Sequence, residues 1–281
     1  MPGRIMAKAP RTDFRCLADV RLYACCYNVS IMRPSIDVII PCLNEERALP
    51  ESVGRLHEFM SSNMAEYSWS IVVADNGSTD GTLEAAADLA ERFAEVRFIR
   101  LQERGRGRAL RRAWTESAAD VMAYMDVDLS TDLAHLPTLA SAIVDDGYHV
   151  AIGSRLLPQS RVVGRTLKRE ITSRGYSLLF RSMFFTPFRD AQCGFKAVSR
   201  RVAHDLSPLV LDNGWFFDSE LLILAQKCGF RIREIPVHWT DDPDTRVRII
   251  RTAWEDVKGL LRLKFGGVGK VRHQLRAAGK L

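Results

Sequence analysis

The stretch Val121-Met-Ala-Tyr-Met-Asp-Val-Asp128 is an apolar run that ends in two carboxylates one residue apart. The run reads as a buried strand, so Asp126 and Asp128 emerge together at its carboxyl end. In open α/β sheets that edge is where ligands bind. Two acids held side by side repel unless a cation or a hydrogen-bond network stabilises them. Magnesium suits the place, because it takes one or two carboxylates together with substrate phosphate oxygens. A surface turn or a helix cap would use the same pair, so its neighbours must separate the readings.

Outward from this strand the chain alternates. Apolar, β-branched runs at Asp37–Cys42, Ser70–Ala74, Val96–Leu101 and Val150–Gly153 read as strands. Ala48–Met64, Thr82–Phe93, Arg106–Glu116 and Ala134–Val144 read as the helices between them. That rhythm predicts a parallel, right-handed βαβ sheet. Further on, Leu167–Phe185 reads as a long helix with an apolar end, Ser219–Cys228 as a helix and Ile232–Trp239 as a strand. Val247–Lys264 has helical periodicity with Ile250, Trp254, Val257 and Leu261 on one face. Residues 165–185 and 247–264 are the candidates for membrane contact, although such faces more often pack on their own protein. Residues 1–33 show no sustained period and read as a disordered or wrongly assigned extension, with Met32 as the natural start.

Composition bounds the class. With 47% hydrophobic and 26% charged residues in 281, the chain has the make-up of a globular protein with room for one large α/β domain. No run approaches the ~18 apolar residues of a membrane span, and Asp19 and Arg21 break any signal-like core. Cys16, Cys25, Cys26, Cys42, Cys193 and Cys228 show neither a CxxC pair nor zinc spacing and read as reduced thiols, so the expected location is cytoplasmic. Charge is uneven. Residues 1–33 are net +4 and residues 257–281 net +7, which leaves −5 for residues 34–256 out of a total of +6. A basic tail over 266–281 suits an anionic surface or simple solvation. Nucleic acid is not expected, since no stacking-aromatic motif accompanies the basic ends.

Two other strand ends join Asp126 and Asp128 at the same edge: Pro41-Cys-Leu-Asn-Glu45 and Asp75-Asn-Gly-Ser-Thr-Asp-Gly81. Gly77 and Gly81 permit tight turns, while Ser78 and Asp80 suit capping of the next helix. Arg104-Gly-Arg-Gly-Arg108 opens a helix but lacks P-loop spacing, and reads as a flexible, diphosphate-facing turn.

Together these residues resemble the family 2 glycosyltransferases, whose pattern has a PxxNE strand end, a DDGSTDGT-like turn, a G-x-G helix start and an aspartate-x-aspartate. The resemblance is closest to the polyprenyl-phosphate sugar synthases, above all the dolichyl-phosphate glucose synthases. It runs from Ser35 to Lys264 and takes in Gly153-Ser-Arg155, Arg169–Ser173, Asp190–Lys196, Gly214–Leu222 and Glu234–Trp239.

The resemblance implies a GT-A-type, Rossmann-like nucleotide-sugar domain over 34–265, with a mostly parallel sheet and helices on both faces. It implies that Pro41, Leu43 and Glu45 line the nucleoside pocket, that Asp75 and Asn76 lie by the base, and that Val127 and Arg246 touch the donor. Asp126 and Asp128 would hold magnesium or manganese, and Arg155, Arg169 and Ser173 the phosphate of a lipid acceptor, with Arg155 also catalytic. Two positions depart from the pattern. Asn76 replaces the second aspartate, which puts base selectivity in doubt, and Ser130 stands where the mannose synthases have glutamine. The implied activity is inverting transfer of a hexose, from UDP-glucose in preference to GDP-mannose, onto polyprenyl phosphate. The enzyme would sit peripherally on the membrane, by itself or through an anchoring partner. A transferase with a soluble acceptor and a non-catalytic nucleotide-sugar binder are the rival readings. A processive polysaccharide synthase would need membrane spans and a QxxRW motif, and the sequence has neither.

Overall fold

Alternation in the first strand, β1 (Ser35–Cys42), sets up a sheet covered on both sides. Ile36, Val38 and Ile40 are buried in one apolar cluster and Ile39 in another. This is the two-residue period of a pleated strand. The computed structural model describes residues 33–241 and 249–281. Residues 1–32, Arg246 and the first residues of the expected amphipathic helix lie outside the described residues.

The order along the chain is β1, α1 (Leu49–Asn63), β2 (Ser68–Asp75), α2 (Thr82–Arg92), β3 (Val96–Arg100), α3 (Arg106–Glu116), β4 (Val121–Met125), α4 (Leu136–Val144) and β5 (Val150–Ser154). Then come β6 (Arg161–Val163), α5 (Leu167–Phe184), β7 (Phe195–Ser199), α6 (Phe217–Lys227), β8 (Ile232–Pro236), β9 (His238–Thr240), α7 (Ile249–Arg262) and α8 (Val268–Ala277). Seven strands form one sheet in the order β3-β2-β1-β4-β7-β5-β8, and β6 and β9 form a second, two-stranded one. On one face α1, α2 and α4 bury Leu49, Val53, Leu56, Ala86, Leu89 and Leu139. On the other, α3, α5 and α6 bury Leu110, Trp114, Phe180, Leu221 and Ile223. The chain runs outward from β1 to β3 and returns to β4, so the sheet reverses between β1 and β4. A crevice opens at such a switch point, outside the carboxyl ends of the strands.

The sheet is mostly parallel with helices on both faces, as expected; one strand was missed and two expectations need correction. The missed strand, β7, runs antiparallel between β4 and β5. Its second residue is Lys196, fully buried, and a lysine interrupts the apolar pattern by which strands are recognised. Ile232–Trp239 is two strands, because after Pro236 the chain leaves the main sheet and β9 pairs with β6. Residues 266–281, expected to be a basic tail, contain α8. Val271 and Leu275 of this helix enter the core, while Lys270, Arg272 and Arg276 face outward.

The outward faces are apolar in places. On α5, Leu167, Ile171 and Leu178 are exposed along one helical stripe that Phe185 prolongs. On α7, Asp256, Leu260 and the following Leu263 turn inward, and the ring of Phe216 lies against Gly259. Trp254 and Leu261 are exposed, as is Phe265 just beyond the helix. Of the apolar face read from the sequence, Trp254 and Leu261 are thus on the outer side and Val257 is half-buried, because α7 packs inward through Asp256, Gly259 and Leu260. Among the described residues no helix is long and apolar enough to cross a membrane.

Leu275→Ala tests whether α8 belongs to the core. Its side chain is 1% exposed, so truncation should cost about 2 kcal/mol in urea unfolding. A solvated tail would show no change.

Candidate active site

The loops after β1 and β2 are sewn into one platform. The Asn44 amide donates to Ser78 Oγ (2.9 Å) and the Glu45 amide to Thr82 Oγ1 (2.8 Å). In return the Thr79 amide donates to Asn44 Oδ1 and the Gly81 amide to Glu46 Oε2, both at 2.9 Å. Asp80 Oδ1 accepts from the Thr82 amide at 3.1 Å just ahead of α2, but the cap position itself is Gly81. Ser78, also expected to cap, holds the neighbouring loop instead. Pro41, Leu43 and Glu45 line this platform half-buried.

Asp75 is fully buried at its inner edge. Its Oδ1 accepts from the Ser78 amide (3.1 Å), while Oδ2 has no hydrogen-bond partner and its nearest cation, Arg100 Nε, is 4.0 Å away. A buried carboxylate oxygen in that state is a ready acceptor for a ligand N–H. Asn76 serves as scaffold, since its Oδ1 accepts from the Gly105 amide at 2.7 Å. Gly105 has φ +153°, and an added Cβ would lie 2.5 Å from the Asn213 carbonyl, so this turn before α3 requires glycine.

At the end of β4, Asp126 is part of a buried charge network. Arg106 donates from Nη2 to Asp126 Oδ1 at 2.5 Å and from Nη1 to Asp218 Oδ2 at 2.6 Å. Asp218 also accepts from the Tyr124 hydroxyl and faces Lys196 Nζ at 3.3 Å. Burial opposes ionisation of Asp218, but Lys196 and Arg106 outweigh it and keep its pKa below the ordinary value. Burial likewise opposes the Arg106 charge, and Asp126, Tyr124 and Asp218 hold its pKa well above that of a free arginine. Val127 is half-buried and Asp128 exposed, with Asp128 Oδ1 accepting from the Ser130 amide at 2.9 Å. Among the described residues no group of three or more His, Cys, Asp or Glu is arranged around a metal. Two carboxylates alone fit a magnesium or manganese ion that brings phosphate oxygens of its own.

The basic residues gather next to this edge. Arg155 forks onto Asp190 (Nε to Oδ2 2.8 Å, Nη2 to Oδ1 2.9 Å) and lies over the Trp239 ring. Burial would raise the Asp190 pKa, yet the Arg155 charge and its hydrogen bonds bring it down to about 2. Arg169 reaches Asp241 at 3.5 Å. Ser173 Oγ accepts from Arg165, a residue that sequence reasoning missed. The Arg165 side chain is 8% exposed; its Nε lies 3.2 Å from Glu170 without hydrogen-bond alignment, and its Nη1 has no hydrogen-bond partner. Arg155, Arg165, Leu156, Pro158 and Leu167 line a cavity of about 570 Å³. Structure thus brings Arg155, Arg169 and Ser173 together around Arg165.

Other missed residues left weaker traces. Arg106 stood in the Arg104–Arg108 turn and Asp218 in the Gly214–Leu222 stretch, but nothing in their spacing said that they meet. Asp256 of α7 is buried; its Oδ2 accepts from Gln192 (2.8 Å), while Oδ1 has no hydrogen-bond partner.

Comparison with known proteins fits this architecture. A crystal structure of glucosyl-3-phosphoglycerate synthase from Mycobacterium tuberculosis, in complex with Mn2+, UDP-glucose and phosphoglyceric acid, matches with TM-score 0.62 at 16% identity, covering 82% of this chain and 80% of that one. The fold is therefore that of the GT-A-type glycosyltransferases. Residues 37–207 match the family described as Glycosyl transferase family 2, and the chain belongs to it. The glycosyltransferase AglD of Haloferax volcanii is 39% identical over 217 residues, 77% of this chain but 35% of AglD, so the chain spans about a third of that relative. The dolichyl-phosphate beta-glucosyltransferase of Dictyostelium discoideum is 27% identical over 251 residues, 84% of this chain and 77% of that protein.

Asp256 makes stability depend on pH. Burial, with Asp212 and Glu255 nearby and only the Gln192 bond opposing, pushes its pKa up to about 7 from 3.8. A carboxyl with a raised folded value adds stability below its unfolded pKa and loses it as pH rises through the folded one. The loss is up to ~4 kcal/mol between about pH 4 and 8. Urea midpoints measured from acid to mildly alkaline pH should fall in the wild type and stay flatter in Asp256→Asn.

Proposed function

We propose that the protein transfers a hexose, with inversion, from a nucleotide sugar to polyprenyl or dolichyl phosphate, with UDP-glucose as the favoured donor. One observation carries this reading. A single turn, residues 190–194, touches both halves of the crevice: Asp190 holds Arg155, and the Gly194 carbonyl accepts from the Asp126 amide at 3.2 Å. A carboxylate pair suited to a metal diphosphate therefore lies beside an arginine cluster suited to a second phosphate. The names of the relatives support the acceptor, and the Mn2+ and UDP-glucose of the Mycobacterium tuberculosis complex support the donor and the metal.

In this reading Pro41, Leu43, Glu45 and Asn76 form the nucleoside side, and Asp75 Oδ2 takes an N–H of the base. Val127 and Arg246 complete the donor site. Asp126 and Asp128 hold magnesium or manganese, which when bound supplies Lewis-acid stabilisation to the departing diphosphate. Arg155, Arg165, Arg169 and Ser173 orient the acceptor phosphate. Arginine forks suit phosphate, and charge-assisted bonds are roughly twice as strong as neutral ones. A phosphate monoester has its second pKa near ~6, so the nucleophile arrives ionised and no protein base is required. A single displacement at the anomeric carbon inverts it. The exposed apolar residues of α5 and α7 favour a lipid acceptor over a soluble one: Lys264, after α7, donates to the Met183 carbonyl of α5 at 2.8 Å, so the C-terminal ends of the two helices adjoin. The protein would dock peripherally on a bilayer there, with or without an anchoring partner.

Incubation with polyprenyl phosphate, magnesium and a panel of nucleotide sugars, followed by mass spectrometry of the lipid, should show one added hexose, most with UDP-glucose. Asp128→Ala should lower turnover about a hundredfold, roughly 2.7 kcal/mol. A lipid unchanged by every donor would sink the proposal. In a separate co-sedimentation assay with anionic liposomes, Trp254→Glu with Phe265→Glu should weaken binding about tenfold, or ~1.4 kcal/mol. Equal sedimentation would remove the docking face.

A further inference from the structure

Arg106 is placed unlike a surface arginine. Its side chain is 12% exposed, bridges Asp126 and Asp218, and has the rings of Tyr124 and Trp215 each 5.1 Å from its guanidinium carbon. Asp218 is shared with Lys196 and the Tyr124 hydroxyl, so it does not use up the Arg106 charge. Asp126 is clamped from its other side as well: a Cβ added to Gly194 would come within 1.7 Å of Asp126 Oδ2. The carboxylate is thus wedged between the guanidinium and a glycine, and neither partner can swing aside cheaply.

The geometry points to Arg106 as a positioning residue that makes divalent-metal binding at Asp126 and Asp128 conditional on the nucleoside diphosphate. This rests on the proposed reading of that pair as the metal site. A fixed guanidinium on Asp126 offsets half the negative charge that the two aspartates offer, and at a few ångströms it repels an arriving cation. Free metal should therefore bind weakly. A nucleoside diphosphate reverses the balance: its negative charge attracts both the metal and Arg106, so metal and nucleotide favour each other's binding. The same guanidinium keeps Asp126 aimed at the crevice before any ligand arrives.

Mn2+ binding, followed by electron paramagnetic resonance with and without UDP, tests this apart from turnover. The wild type should bind Mn2+ at least tenfold more tightly with saturating UDP. Arg106→Gln should bind Mn2+ alone about tenfold more tightly than the wild type and lose most of the UDP effect, while Arg106→Lys, which keeps the charge, should retain it. If circular dichroism shows that Arg106→Gln does not fold, the neutral Arg106→Met, which keeps an unbranched side chain beside the Tyr124 and Trp215 rings and leaves Asp218 paired with Lys196, should give the same result. Free Mn2+ bound no more tightly by the folded neutral variant, or an undiminished UDP effect in it, overturns the inference. Unchanged Mn2+ binding in Asp126→Asn with Asp128→Asn, or no Mn2+ binding by the wild type even with UDP, overturns the metal site itself and the inference with it.

Discussion

The buried carboxylate of Asp218 is the constraint on which the site side of the molecule depends. Four elements meet on it: Arg106 from α3, Tyr124 from β4, Lys196 from β7, and α6, which carries Asp218 itself. A lysine with no solvent exposure needs a counter-charge, and a buried carboxylate needs donors. Each group makes the others tolerable. Such a network adds little net stability over an apolar core, but removing one member leaves a charge stranded. Its consequence here is geometric. It fixes the antiparallel strand β7 beside β4, and the turn before β7 then presents Gly194 to Asp126 and Asp190 to Arg155.

That turn explains how one sheet edge offers two places for anions without merging them. On one side two acids stand where a cation can bridge to phosphates. On the other, arginines stand where a phosphate needs no metal. Arg155, bound at both ends of its fork by Asp190, is stiffened by that carboxylate, while Arg165 retains an N–H with no hydrogen-bond partner. Rigid charges placed in advance spare a transferase the reorganisation that water would demand. The exposed stripe on α5 begins at Leu167 on the wall of the same arginine cavity, so apolar and basic surface are continuous there.

Much of this was legible before folding. Strands β1 to β5 were placed to within two residues by their apolar runs, and Asp126 and Asp128 stood out because two carboxylates one residue apart end such a run. Asp75 and the Ser78–Gly81 turn were recognisable from their glycines and acids. Arg106, Arg165 and Asp218 were not, because long polar side chains reach partners tens of residues away and leave no period. Arg106 is 112 residues from Asp218 and 20 from Asp126. Strand β7 was hidden for a related reason, since Lys196 reads as solvent-facing until its counter-charge is known.

The sequence by itself determined the alternating α/β order, the three polar strand ends and the uneven charge of the termini, because these depend on local period and turn chemistry. Only the tertiary structure decided which side of α7 faces outward, that α8 is core rather than tail, and that Asp126 is shared with an arginine. Those outcomes rest on burial and on pairing between distant residues. A charge in a low-dielectric interior is acceptable only beside its partner, and proximity of that kind is a property of the packed molecule.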